Sequence, residues 1–241
     1  MSVVTRVRTL DPLTLGPALW LKDTGSSAGT WPDSSTYGRD ATQGTAGSQP
    51  QIVQNALNGK QVRRFNGTSS FMSCGDVLDL LSNSITIFSV FKISANSQFG
   101  SGIIAKSRQQ ATTGRYAILK SGNDLQLFRG TPDAIAAATY PLKGFSVVCG
   151  RIDRANGTLN LFDNGSLIAQ NSFTPDSATS YDTVDPLLIG CYPTSAGNVP
   201  ATGFYLNGDI AEIIIYPYAL NPYERQLVEG YLSYKYALPV A

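Results

Sequence analysis

The chain has 241 residues, of which 42% are apolar and 15% charged, enough for one large core and too apolar for a disordered chain. Eighteen basic against seventeen acidic residues leave a net charge of +1, without the basic excess that marks a nucleic-acid partner. Histidine is absent, which removes Ser-His and Cys-His nucleophile pairs, histidine general bases and every histidine-ligated metal site.

From Met1 to Trp20 there is no apolar stretch of the roughly 7–15 residues that a secretory signal contains. The expectation is a cytosolic chain, or one that leaves the cell without a signal, as a virion protein released by lysis does. Residues 1–14 read as an N-terminal arm and 15–241 as one domain, because no Gly-, Ser- or Pro-rich linker divides the rest. No apolar run reaches the length of a membrane-spanning helix, so membrane insertion is not expected.

Runs rich in branched and aromatic residues then recur between turn signals and predict strands: Ile85 to Phe91, Tyr116 to Leu119, Leu125 to Phe128, Phe145 to Cys149 and Leu187 to Ile189. Asn156-Gly157 and Asn164-Gly165 punctuate the stretch from Val147 to Ala169. Asn-Gly supplies the positive φ angles of a tight hairpin, so this stretch reads as a three-strand meander. These triplets and Asn66-Gly-Thr68 also match the N-glycosylation acceptor, but without a signal peptide the turn reading is preferred.

Cys74, Cys149 and Cys191 are odd in number and far apart, and are expected as buried or free thiols, with one disulfide left open. Near the C-terminus, Asn221, Pro222 and Glu224 form the signature of a capped helix start. Tyr223, Leu227, Val228, Tyr231 and Leu232 follow at helical spacing, and Glu224, Arg225, Glu229 and Lys235 read as a polar face of mixed charge. The helix is expected to dock on the edge or rim of a β structure.

Four stretches together resemble the laminin-G-like, concanavalin A-like domains of bacterial secreted proteins and of bacteriophage tail and virion proteins. They are Leu19-Trp-Leu-Lys-Asp-Thr-Gly25 with Trp31-Pro-Asp33 and Arg39-Asp-Ala-Thr-Gln43; Asn58-Gly-Lys60 with Val62 to Gly67 and Phe71-Met72; Leu159 to Gly165; and Asn207 to Tyr216 continued to Tyr236. The resemblance spans roughly Leu15 to Leu238. It implies an all-β jelly-roll sandwich of two antiparallel sheets with one C-terminal helix, and ligands met at the concave face or the loop rim. The terminal strand then lies beside one near Leu21, with Trp20 and Trp31 expected as packing residues.

Some relatives of this fold are glycosidases, which need two carboxyl groups flanking one bond. The nearest pair here is Asp209 and Glu212, and along an extended strand a spacing of three sends them to opposite sides. No catalytic residue is therefore assigned. Two aspartate pairs, Asp76 with Asp79 and Asp182 with Asp185, have the oxygen chemistry of calcium ligands but match no defined calcium loop, so no metal or cofactor is assigned.

The leading expectation is a lectin-like binding module, a tail-fibre, head-fibre or decoration protein that recognises cell-surface glycan. Candidate contacts are Arg115, Tyr192, Asn198 and Tyr205, which offer stacking faces and hydrogen-bonding groups. The rival readings are a purely structural virion subunit and a glycoside hydrolase of the same fold. Expected partners are a polysaccharide, other virion proteins and further copies in a homo-oligomer. Expected location is the virion, or else the extracellular space or cell surface by a signal-independent route.

Overall fold

The computed structural model describes residues 10–80, 83–94, 100–106, 115–130, 134–175, 183–193 and 204–240. Turn chemistry reverses the chain where the sequence places it. At the Asn164-Gly165 hairpin both residues take positive φ, 47° and 82°, and Gly157 turns the preceding one at 62°.

The strands in chain order are β1 (Leu19–Leu21), β2 (Thr30–Trp31), β3 (Ala41–Thr42), β4 (Gln51–Leu57), β5 (Lys60–Asn66), β6 (Met72–Ser73), β7 (Ile85–Ile93) and β8 (Ser101–Lys106). They continue as β9 (Tyr116–Ser121), β10 (Asp124–Arg129), β11 (Ala134–Thr139), β12 (Ser146–Asp153), β13 (Thr158–Asp163), β14 (Ser166–Ser172), β15 (Leu187–Ile189) and β16 (Asn207–Tyr216). One helix, α1 (Pro222–Tyr236), follows.

These strands form two eight-stranded antiparallel sheets. The first runs β14-β13-β12-β7-β16-β5-β4, with β1 also on β16; the second runs β11-β10-β9-β8-β15-β6-β3-β2. The sandwich, the meander β12–β14 and the pairing of Leu21 with Ile213 all match the sequence reading. Between the sheets lies the main core, with Trp31, Phe65, Ile87, Phe91, Ile118, Leu127 and Ile213 among its members. All three cysteines are buried free thiols.

A second apolar layer explains why the central strands read as unbroken apolar runs. Phe88, Val90, Cys149, Ile214 and Tyr216 point out of the sandwich and meet Val228, Leu232 and Tyr236 of α1. The helix therefore lies across the outer face of the first sheet, not on its rim. Its buried stripe is Arg225, Val228, Glu229, Leu232 and Tyr236, whereas Tyr223, expected on the apolar side, is 69% exposed. Arg225 and Glu229 turn inward because they pair with each other at 2.5 Å and Arg225 lies 4.1 Å over the Phe162 ring. Outside the helix, no described residue comes within 4 Å of where a Cβ on Gly230 would stand. A glycine at mid-helix costs about 1 kcal/mol relative to alanine.

The described end of the arm is packed. Asp11 caps a short 3-10 helix, Pro12–Leu15, and Leu10 and Leu15 lie against the layer beneath α1.

β16 carries a bulge between Ile210 and Glu212. Before it β16 pairs with β5; after it, along Ile213 to Ile215, it pairs with β1. The bulge changes the alternation: Ile210 and Ile213 both enter the main core, so Ala211 and Glu212 both face outward. Glu212 then collects four donors. Trp20 Nε1 (2.6 Å) and the Tyr231 hydroxyl (3.1 Å) reach Oε1, and Lys235 Nζ (2.6 Å) and the Tyr236 hydroxyl (2.7 Å) reach Oε2. Burial, reinforced by the Glu212 charge, pushes both phenols well up. Glu212→Ala is expected to lower stability by about 2–4 kcal/mol, because it takes the buried acceptor from four donors at once, while Lys235 keeps its ion pair with Asp23. Urea unfolding measures this, and an unchanged midpoint would deny the carboxylate its structural role.

Candidate functional site

The loop from Asp33 to Asp40 is built around one carboxylate. Asp33 Oδ1 accepts the backbone N–H of Trp20 (2.9 Å) and Ser35 (2.8 Å); Oδ2 accepts the Ser35 hydroxyl (2.6 Å) and the Arg39 N–H (2.8 Å). Asp40 Oδ1 in turn accepts the Asp33 N–H at 2.8 Å. Four donors on one side chain hold the loop against β1. They fix the place of Tyr37, a residue that is 56% exposed and whose ring carries the Arg39 guanidinium 4.4 Å from its centroid.

Beside this ring is a cavity of about 230 Å³ lined by Ala18, Tyr37, Arg39, Leu78, Asp79, Asn83 and Pro217. Its floor is anchored from below. The Tyr116 hydroxyl, at the core end of β9, donates to Leu78 O at 2.8 Å, and Leu78 holds a positive φ of 61°. Asp79 Oδ1 accepts from Thr183 N and its hydroxyl, at 3.0 and 3.1 Å, and lies 3.2 Å from Lys106 Nζ.

The polar groups on the wall are only partly engaged. Arg39 uses Nη1 on Ala18 O at 2.9 Å and forms no ion pair among the described residues. The Tyr37 hydroxyl, the Asn83 carboxamide and Asp79 Oδ2 have no hydrogen-bond partner among those residues. An aromatic face, a cationic fork, an amide and a carboxylate oxygen therefore converge on one opening. That set both donates and accepts beside an apolar ring.

The candidates named from sequence lie elsewhere. Tyr192 is 5% exposed and packs on Ala105, Ala117, Leu119 and Phe204. Tyr205 is 9% exposed and packs with Leu188, Cys191 and Phe71. Arg115 sits 4.5 Å over the Phe128 ring. Asn198 lies outside the described residues. Tyr192 and Tyr205 cover neighbouring parts of the outer face of the second sheet, where their rings are used in packing.

The two carboxylates weighed for hydrolysis are also placed differently. Asp209 meets Arg64, at 2.7 and 2.9 Å, and Lys92 at 3.3 Å. Both partners extend the outward-facing rows begun by Val62 and Val90. Asp209 and Glu212 thus share the outer face, contrary to the expectation from spacing, because the bulge at Ala211 inserts one residue between them. Each is fully enclosed by donors.

The aspartates weighed for calcium converge on a cation of the chain's own. Lys106 Nζ, buried at the end of β8, lies 2.7 Å from Asp76 Oδ1 and from Asp185 O, besides Asp79. Asp182 is outside the described residues, and no group of three or more Cys, Asp or Glu among those residues is disposed to hold a metal ion.

The two sheets and the rim cavity define a lectin-like β-sandwich. The chain belongs to a laminin-G family of the concanavalin A-like lectin/glucanases superfamily, whose match covers residues 66–224. No curated protein matches it. Among solved structures it is similar to Trypanosoma rangeli sialidase in complex with sialic acid, at 15% identity and a TM-score of 0.64, over 91% of this chain and 33% of that one. It is also similar to the ligand-binding domain of botulinum neurotoxin serotype D in complex with N-acetylneuraminic acid, at 12% identity and a TM-score of 0.67, over 91% of this chain and 52% of that one. A third is the binding domain of Paraclostridial Mosquitocidal Protein 1, at 14% identity and a TM-score of 0.63, over 92% and 53% of the two chains. The chain spans about a third of the sialidase and about half of each toxin domain.

Asp33→Ala is expected to cost about 2–4 kcal/mol, since it leaves four donors without their charged acceptor. Denaturant titration reads the loss, and a change below about 0.5 kcal/mol would mean that the loop is held by something else.

Proposed function

We propose that this chain is a non-catalytic module that binds a glycan at the Tyr37 cavity. The observation that carries the reading is the set of groups on its wall that are unengaged or only partly engaged: the Asn83 carboxamide and Asp79 Oδ2, with the Arg39 guanidinium and the exposed Tyr37 ring beside them. A pyranose has an apolar C–H face that stacks on an aromatic ring, and hydroxyls that donate to a carboxylate and accept from an amide or guanidinium. The cavity is smaller than the roughly 300–1,000 Å³ of a drug-sized ligand site, which suits one sugar residue. The lectin-like fold, and neighbours solved with sialic acid, support a sugar as the ligand class.

Three features support the absence of catalysis. Asp209 and Glu212 are enclosed by cations and hydroxyls and have no room for a substrate between them. Burial pushes all three cysteine thiols up, away from a reactive thiolate. The chain has no imidazole. The setting carried over from the sequence resemblance is a virion surface. Antibody labelling of purified particles tests that setting separately.

A glycan array followed by calorimetry tests the site. A single sugar ring in an open cavity is expected to bind with a Kd on the order of 0.1–1 mM. Tyr37→Ala and Asn83→Ala should each weaken binding at least about tenfold, or 1.4 kcal/mol, without changing the fold. Binding that survives both substitutions, or no binding to any glycan, would sink the reading. Release of reducing ends from a bound polysaccharide would remove the non-catalytic part.

A further inference from the structure

The outward side of α1 is unlike an ordinary solvated helix face. Its buried stripe holds Arg225 and Glu229. The opposite stripe, offset by two residues and so by about 200°, is Tyr223, Gln226, Leu227, Gly230 and Tyr234, with no charge among them. Tyr223 is 69% and Tyr234 73% exposed. Between Leu227 and Tyr234, Gly230 leaves a notch that no described residue outside the helix fills within 4 Å. Two large rings in solvent and a mid-helix glycine with no steric reason among the described residues each call for a neighbour.

We propose that this face pairs with the same face of a second copy, the two helices antiparallel about a two-fold axis. The spacing carries the choice of occupant. The register that lays Leu227 into the notch at the partner's Gly230 also sets Tyr223 beside the partner's Tyr234, because the two pairs of numbers have the same midpoint. The two-fold repeats both contacts. The face is thus complementary to itself, large against small at the centre and ring against ring at each end. Antiparallel helices also bring opposite dipole ends together, and an uncharged stripe meets its copy without repulsion. The face has no lysine or arginine with which to hold an anionic membrane. It lacks the convergent donors and acceptors of the Tyr37 cavity, so a sugar is not its occupant. One helix pair lies at the small end of stable interfaces, which sets the expected Kd on the order of 10 μM.

Sedimentation equilibrium of the full chain, from about 1 to 200 μM, tests the pairing. The wild type should pass from monomer to dimer across that range. Gly230→Gln fills the notch with a good helix former, and should keep or raise the melting temperature while weakening the dimer at least about tenfold. Tyr234→Glu should also yield monomer, and Tyr223→Lys combined with Tyr234→Glu should restore the dimer by opposing charges across the axis. A wild type that stays monomeric throughout would overturn the proposal. So would a dimer untouched by Gly230→Gln, or a charge pair that fails to restore association in a folded variant. Glycan binding by the Tyr37 cavity is independent of all three outcomes.

Discussion

The Glu212 carboxylate is where this fold is tied together. β1 near the start of the chain, the bulged central strand β16 and the C-terminal helix all meet at it. Trp20 from the first, Glu212 from the second, and Tyr231, Lys235 and Tyr236 from the third meet there within hydrogen-bond distance. Lys235 also reaches Asp23 at 2.6 Å, so the bend that follows β1 is drawn into the same knot. A buried charge is tolerated only when its hydrogen-bonding capacity is matched, and four donors on two oxygens achieve that. The specificity such a group contributes is geometric. It selects the one register in which the bulge, the indole and the helix can all be present.

That constraint reaches the cavity through β1. The N–H of Trp20 is one of the four donors on Asp33, while the indole of the same residue is bound to Glu212. Leu19 to Leu21 is a short strand with one edge on β16, and Asp33 pins the loop against it. The exposed Tyr37 therefore sits two links from the central bulge, each link a hydrogen-bonded carboxylate. A binding loop on a rigid scaffold keeps its ring in place with little entropy left to lose on binding. The other wall is held by the same means, with Lys106 gathering Asp76 and Asp79 at the end of β8.

Much of this was legible in the sequence where a local rule governs it. Asn-Gly turned the meander, Asn221 and Glu224 formed the capping box with Pro222 at its start, and the residues that carried the family resemblance include Asp33 and Asp40, which build the loop. What escaped depends on contacts distant in the chain. Alternation along β16 assumed a regular strand, and no residue type announces that Ala211 is an extra one. The helical periodicity was real, but Arg225 and Glu229 neutralise each other against Phe162, so charge did not mark the solvent side. The rim cavity joins residues 18, 37, 39, 78, 79, 83 and 217, a set without any local spacing to betray it. Tyr192 and Tyr205 attracted notice as loop aromatics, the type shared by binding faces and by packing.

The distribution of charge connects these features. Arg63, Lys106, Arg129, Arg154, Asp209, Glu212, Arg225 and Glu229 are all buried. Burial alone lowers the Arg63 guanidinium to about 10, while its nitrogens donate to Ser27 O and Thr30 O. In a chain with so few charged residues, turning these inward thins the charge on an outer surface that also carries amides, hydroxyls and scattered tyrosines. Such a surface exerts little long-range pull, so the recognition proposed above relies on short-range fit: stacking, directed hydrogen bonds and the exclusion of water. A neutral hydroxyl-rich polymer and a second copy of an uncharged helix face are both partners of that kind. Inside, each buried charge is held by its own partners and contributes to one arrangement of loops. The inward turn of the charge thus does two things at once: it helps to set the shape of the rim and weakens the field at the exterior.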